Sequence, residues 1–368
     1  TGGNNTAVGD TALGANTTGG SNVAIGYSAL AANTTASANI AIGRNAALTN
    51  TTGSSLVAMG YGALQSNTTG SNNTALGRDT LLANTTGNNN TAVGYLAGTA
   101  LTTGAENVLL GTNAGDSLTS SSGNIAIGSS ALATETAYSQ NIAIGFRALK
   151  TNSGGYYNTA LGYDALYLNT DGQSNIAVGG YALDANTTAD NNTAVGYLAL
   201  SANTTGADNT AVGRSALSAA TTATKNNAFG YAAGASVTTG NYNTAFGDST
   251  LFRNTTGTEN TALGFVALYN TGLSTSGINH NTGLGSRALY NTTSGGYNTA
   301  VGSYSGTTNV SGHSNVAIGY NTKTASSAPI RTIGIGTTVT VPNINNTFAF
   351  GYDSEGVVYN SFSANASW

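Results

Sequence analysis

Two histidines, ten aspartates and four glutamates make up the acid–base inventory of this chain. His280 falls in a four-residue insertion and His313 on a corner, well apart in sequence. The carboxylates sit mostly at corner positions such as Glu106, Asp190, Asp208 and Glu259, with no pair recurring at a fixed offset. Glycoside hydrolysis needs two carboxyl groups flanking one bond, and that pairing is missing. There is no cysteine, hence no thiolate metal site and no disulfide framework. Calcium-binding G-G-x-G-x-D repeats are absent. With 51 glycines, a chance G-x-G-x-x-G carries no information about phosphates. The expectation is a protein that is not an enzyme and holds no cofactor.

One chemistry-bearing pattern does recur, and it is aromatic. The residue after a repeated glycine is Tyr27, Tyr61, Tyr95, Phe146, Tyr163, Tyr197, Tyr231, Phe265, Tyr320 or Tyr352. Elsewhere the same column holds Arg44, Arg78, Arg214, Asp10 or Asp248, so it faces water. Tyr27, Tyr61, Tyr95, Tyr163, Tyr197, Tyr231 and Tyr320 therefore form a candidate surface ladder for binding a glycan by ring stacking. The competing reading is that these tyrosines shield the strand edge and pack on their own neighbours.

That column exists because the chain repeats. A signature such as TAVG, VAIG or IAIG ends on Gly9 and recurs every 17 residues through Gly264. One step of 21 leads to Gly285, three of 17 to Gly336, and a last step of 15 to Gly351. A fixed period in this range means stacked coils, each unable to bury its apolar side alone. The fold class is all-β: a parallel β-solenoid or β-roll of about 20 coils with a 17-residue period, forming a rod and assembling as a trimer.

Within one repeat, Asn22-Val23-Ala24-Ile25-Gly26 alternates and reads as a short strand. Hydrophobicity turns Val23 and Ile25 inward as the core, closed from the opposite side by leucines such as Leu30, Leu64 and Leu132. Asn22, Ala24 and Gly26 then face out, and this flat small-residue surface suits packing of identical chains around an axis. Alternatively, alanine is small because the coil interior is narrow. Alanine holds its column in 18 of 21 repeats, as asparagine does two positions earlier. Stacked asparagine amides satisfy corner backbone groups and bond along the stack. Their N-x-Thr sequons are chance matches, since glycans on every coil would collide. Strand threonines such as Thr74 and Thr91 hint at ice binding, but they share a column with Val23 and Ile40, which places that column in the core.

Charged residues are only 7% of the chain, against roughly 25% in ordinary globular domains. In stacked coils a side chain sits ~4.8 Å from its copy, so like charges would repel along the whole ladder. The ten Lys and Arg are scattered, which excludes a nucleic-acid groove. No apolar run approaches the ~20 residues of a membrane span. Thr1 and Gly2 read as the tail of an NTTG element, so the chain starts in mid-repeat, as a piece of something longer would.

The strand signature with its leading asparagine, as in NVAIGYSAL and NIAIGRNAA, resembles the repeats of trimeric autotransporter adhesin heads. This implies a left-handed parallel β-roll assembled as a trimer, over Asn5 to Gly336. The NTAVGYxALxxNTTG arrays also resemble phage tail-fibre-type repeat proteins, which carry a self-cleaving C-terminal intramolecular chaperone. The resemblance implies a matured fibre, with residues 361–368 preceding the removed chaperone.

Two regions follow: a 17-residue-repeat β-solenoid over 1–336 and a C-terminal cap or trimerisation segment over 337–368. Phe348, Phe350, Tyr359, Phe362 and Trp368 form a candidate interchain plug, or a plain end-cap. The expected role is a structural fibre, extracellular, at a cell surface or on a virion, acting as spacer and adhesive rod. Its expected partners are copies of itself, as a homotrimer or an end-to-end filament, and a cell-surface glycan. Ice binding stands behind both.

Overall fold

The computed structural model describes residues 2–134, 139–271, 279–324, 326–342, 344–353 and 358–361. Among them there is no helix; the fold is a parallel β-solenoid of about 20 coils. The chain divides into two compact units, Thr1–Thr188 and Ala189–Trp368.

The first unit holds eleven three-residue strands, from β1 (Thr6–Val8) and β2 (Val23–Ile25) to β11 (Ile176–Val178). Each pairs in parallel with the next at constant register, as in Thr6↔Val23, Ala7↔Ala24 and Val8↔Ile25. The 17-residue period sets this register, because identical residue types stack only when every coil closes on the same count. The signature glycine makes the closure possible. Gly26 has φ +132, and a Cβ there would stand 2.6 Å from the carbonyl oxygen of Gly43 in the next coil. No other residue fits both constraints.

The strand faces are the reverse of the expected ones. Ala24, Ala41, Ala58 and Ala75 are fully buried, whereas Ile25 is 39% and Val8 57% exposed. The coil is a narrow loop, so the strand's inner residue meets Leu30 arriving from the far side, and Leu30 is buried completely. An alanine and a leucine fill that space; two branched side chains would overpack it. Of the two explanations offered for the alanine column, the narrow interior is the one realised. The exception Leu109 follows the same rule. It replaces the inner alanine, and the leucine sites that face it hold Gly98 and Gly115. A Cβ on Gly98 would lie 2.6 Å from Leu109 Cδ1, and one on Gly115 would lie 2.8 Å from Cδ2.

Two buried asparagine ladders line the interior, as expected of the first of them. In one, Asn39 N–H donates to Asn22 Oδ1 (3.0 Å) and Asn39 Nδ2 to the Gly53 carbonyl (3.0 Å). In the other, Asn50 Nδ2 donates to Asn33 Oδ1 (3.1 Å) and to the Gly53 carbonyl (2.9 Å). Each amide thus supplies partners to backbone that the tight corners leave unpaired. The corners also require left-handed backbone at Ser21, Ser28 and Leu30 (φ 59, 57 and 51). Leu30 recovers that cost through burial and by donating its N–H to Ala46 O at 3.0 Å.

The second unit repeats the plan from β12 (Thr193–Val195) to β19 (Val316–Ile318). It then adds β20 (Lys323–Thr324), β21 (Ile333–Thr337), β22 (Thr340–Val341), β23 (Thr347–Tyr352) and β24 (Val358–Ser361). β21 pairs in parallel with β23, and β20 with β22. β24 runs antiparallel to β23, covering an edge that would otherwise be open to pairing.

Candidate binding surfaces

The turn at each signature glycine throws the following side chain outward. Tyr27, Tyr61, Tyr95, Tyr163, Tyr197, Tyr231 and Tyr320 are all exposed, as their column predicts. The ring faces of Tyr27, Tyr61, Tyr95, Tyr163 and Tyr231, however, are occupied. The Arg44 guanidinium lies 5.5 Å from the Tyr27 ring centroid and 6.0 Å from that of Tyr61. Arg78 lies 5.6 Å from Tyr61 and 5.8 Å from Tyr95, and its Nε pairs with Asp79 at 3.1 Å. Five successive coils therefore present Tyr27, Arg44, Tyr61, Arg78 and Tyr95 as an interleaved cation–π ladder. Sequence reasoning had the arginines in this column but not their position over the rings.

Tyr163 is packed as well. Phe146 stacks on it at 5.3 Å and Tyr181 lies tilted at 5.3 Å. Arg147 sits 5.8 Å from Tyr163 and 4.9 Å from both Phe146 and Tyr167, and it pairs with Asp164 at 2.6 Å. The hydrogen bond to Asp164 raises the Arg147 pKa above its already high ordinary value. Arg214 covers Tyr231 at 5.8 Å, and Tyr304 meets Tyr320 edge-on at 6.3 Å.

Burial pushes the Asp184 carboxyl up to about 6, and the Asp164 charge adds to the shift against opposing backbone hydrogen bonds. Burial raises Asp116 in the same way. His280 stands on a regular corner rather than in the insertion, stacked on Tyr297 at 4.7 Å and 3.0 Å from Glu259. His313 is exposed on another corner. Among the described residues no group of three His, Cys, Asp or Glu could hold a metal, and no helix is long and apolar enough to cross a membrane.

A surface that sequence reasoning placed in the core instead faces outward. The first and third residues of each strand form two parallel columns facing solvent. In the first unit they run Thr6, Val23, Ile40 and onward to Ile176, and Val8, Ile25, Ile42 and onward to Val178. Every position is apolar or threonine; none is charged. The second unit carries the same columns, with Asn227 the one departure from that composition. Phe348 (half-buried) and Phe350 (exposed) continue them, since they stand opposite Ile333 and Ile335. The core residue of that strand is Ala349, packed with Val339 and Val341. Tyr359 lies in β24 opposite Ala349. Phe362 and Trp368 lie outside the described residues.

No family model matches this chain, and no curated protein matches it.

Proposed function

We propose that this chain is a non-enzymatic structural fibre segment, extracellular or virion-borne, that assembles as a homotrimer and serves as spacer and adhesive surface. The observation that carries the reading is the pair of uncharged outward columns. In the first unit, eleven strands at ~4.8 Å give a strip about 50 Å long and about 10 Å wide. The resulting area of about 500 Å² is at the upper end of what monomeric proteins leave exposed. It approaches the ~800 Å² that a standard interface takes from each partner, and the second unit carries a strip of its own. Flat apolar ladders of identical register are self-complementary, and copies of the chain are the partner that matches them coil for coil. The Tyr–Arg ladder lies beside this seam and stays available for contact with a surface.

The expected mass in solution is three times the 36.4 kDa of one chain. Mass photometry at nanomolar concentration checks this, and a stable monomer overturns the trimer. Electron microscopy separates the discrete fibre from the end-to-end filament, which gives continuous threads.

A second reading draws on the same columns. Thr193, Thr210 and Thr299 stand outward beside Val195, Val212 and Val301, whereas Thr244, Thr261 and Thr282 stand beside Phe246, Leu263 and Leu284. A flat threonine–valine face is what an ice-binding solenoid presents, and the reason for setting that role aside, burial of this column, does not hold. Inhibition of ice recrystallisation by a monomeric form would favour it over the fibre.

A further inference from the structure

The fifth position after the signature glycine carries aromatic rings in three consecutive coils of the second unit. Phe252 and Tyr269 stack with centroids 5.2 Å apart and planes within 5°. Tyr269 and Tyr290 follow at 5.2 Å and 11°. The next coil places Thr307 where a fourth ring would stand. A threonine cannot fill a ring's place, so the outer side of Tyr290 opens onto a groove of about 390 Å³, within the range of small-ligand sites. Its walls are Tyr290, Thr307, Asn291, Arg287 and Tyr304.

Those walls are held in place. Arg287 lies over the Tyr304 ring at 5.2 Å, and its Nη1 donates to the Tyr304 hydroxyl at 2.8 Å. Asn291 Nδ2 donates to the Thr307 carbonyl at 2.9 Å, and its Oδ1 accepts from Asn270 Nδ2 at 3.3 Å. A guanidinium has five N–H donors, and Tyr304 takes one. Among the described residues, no carboxylate lies within ion-pair distance of Arg287; the ion pairs are those of Arg78, Arg147 and His280. The groove thus combines an aromatic floor, hydroxyl and amide groups at its rim, and a cation lacking an acid partner.

We propose that this groove binds a carboxylated pyranose, a hexuronate unit of an acidic polysaccharide. The sugar ring takes the place of the missing fourth ring, its C–H face on Tyr290. Its carboxylate meets the free N–H edge of Arg287, a planar donor pair matched to two oxygens. Its hydroxyls reach Tyr304, Thr307 and Asn291. A flat aromatic ligand would satisfy the floor and leave that polar rim unused. The proposal deepens the adhesive role above by naming a ligand class. The site is built within one chain, so it can fail or succeed independently of trimer assembly.

The test is calorimetric titration of the full chain with trigalacturonate, and with cellotriose as the uncharged counterpart. Saturable binding of the uronate, at least about tenfold tighter than cellotriose, is the expected result. Thr307→Tyr completes the ring stack and fills the groove. It should leave the melting temperature unchanged or higher while weakening uronate binding about tenfold or more. Arg287→Gln should reduce uronate affinity by a similar factor and leave cellotriose unaffected. Should Thr307→Tyr fail to fold, Tyr290→Thr removes the floor with a residue this column already tolerates, and the same loss is expected. The proposal is overturned if the wild-type chain shows no saturable binding up to about 10 mM. It is equally overturned if a folded Thr307→Tyr or Tyr290→Thr chain binds trigalacturonate as the wild type does, because the sugar would then sit elsewhere, for example on Arg44 and Arg78.

Discussion

Leu109 is the residue that shows which way the strands face. It is the one large side chain in a column of alanines, and two of the glycines that break the facing leucine column, Gly98 and Gly115, stand against it. Restoring a methyl at Gly98 should cost about 1–3 kcal/mol through overpacking. Leu109→Ala alone should cost about 2–5 kcal/mol through the cavity it leaves. In the double variant the new methyl no longer meets Leu109 Cδ1 and keeps only its contact with Leu81 Cδ2 at 2.9 Å, so the two costs should fall short of their sum by about 1 kcal/mol or more. Thermal or urea unfolding of the four chains measures this coupling, and strict additivity would contradict the packing. Asp184 gives a second residue-scale expectation. Its pKa of about 6 in the fold lies above the ~3.9 of an unfolded aspartate. The folded state therefore holds more protons than the unfolded state between those values, and stability falls as pH rises through pH 4 to 6. Asp184→Asn should melt higher than wild type at pH 7.5 and lose that advantage at pH 4. An unchanged difference between the two pH values would show that the carboxyl is not strained.

At the scale of the strand and its corner, the signature glycines anchor the register, which the 21-residue step to Gly285 and the 15-residue step to Gly351 preserve, and their spacing was fully legible. Gly26 and its copies tolerate no Cβ, so every coil must close at the same place. The buried asparagines four positions before the signature glycines were legible too, because a side chain with both donor and acceptor can bond along the stack and to a corner carbonyl; the second ladder, through Asn33 and Asn50, was not read from the sequence. The direction of the strand faces was not legible from hydrophobicity alone. Val23 and Ile25 are the most apolar residues of their coil, and a free-standing strand would bury them. The coil is too narrow for that, and the clue lay in a compensating trio, Leu109 with Gly98 and Gly115, rather than in any column by itself. The Tyr290 groove left no periodic trace, since its column elsewhere holds Gly14, Leu48, Gln65 or Lys150. One prediction belongs here. Asn107 Oδ1 accepts from the Asn124 N–H at 3.0 Å, and its Nδ2 donates to the Ser121 carbonyl at 3.0 Å. Asn107→Ala leaves both groups buried and unpaired, at about 1–3 kcal/mol each. Hydrogen exchange should accelerate at Asn124 and its neighbours first, because each coil leans only on adjacent ones.

For the whole molecule, the two sides of each strand make opposite demands, and that contrast tests assembly without unfolding the chain. Ala126 faces the interior and is fully buried, while Ile127, its neighbour in the same strand, faces outward. Ala126→Asp forces a charge into a space with no partner for it, at several kcal/mol, and should unfold the coils around it. Ile127→Lys leaves the interior untouched, so the isolated chain should keep its β-sheet circular dichroism and its melting temperature as a monomer. In a trimer sealed by the outward columns the same lysine becomes an unpaired buried charge in every copy. It should shift the mass from three chains towards one, and Ile144→Lys added in the next coil should complete the shift. Substituting Arg44→Gln, beside the columns but outside them, should leave the mass at three chains. A trimer that survives both lysines would show that copies meet through another surface and that the apolar columns are open to water.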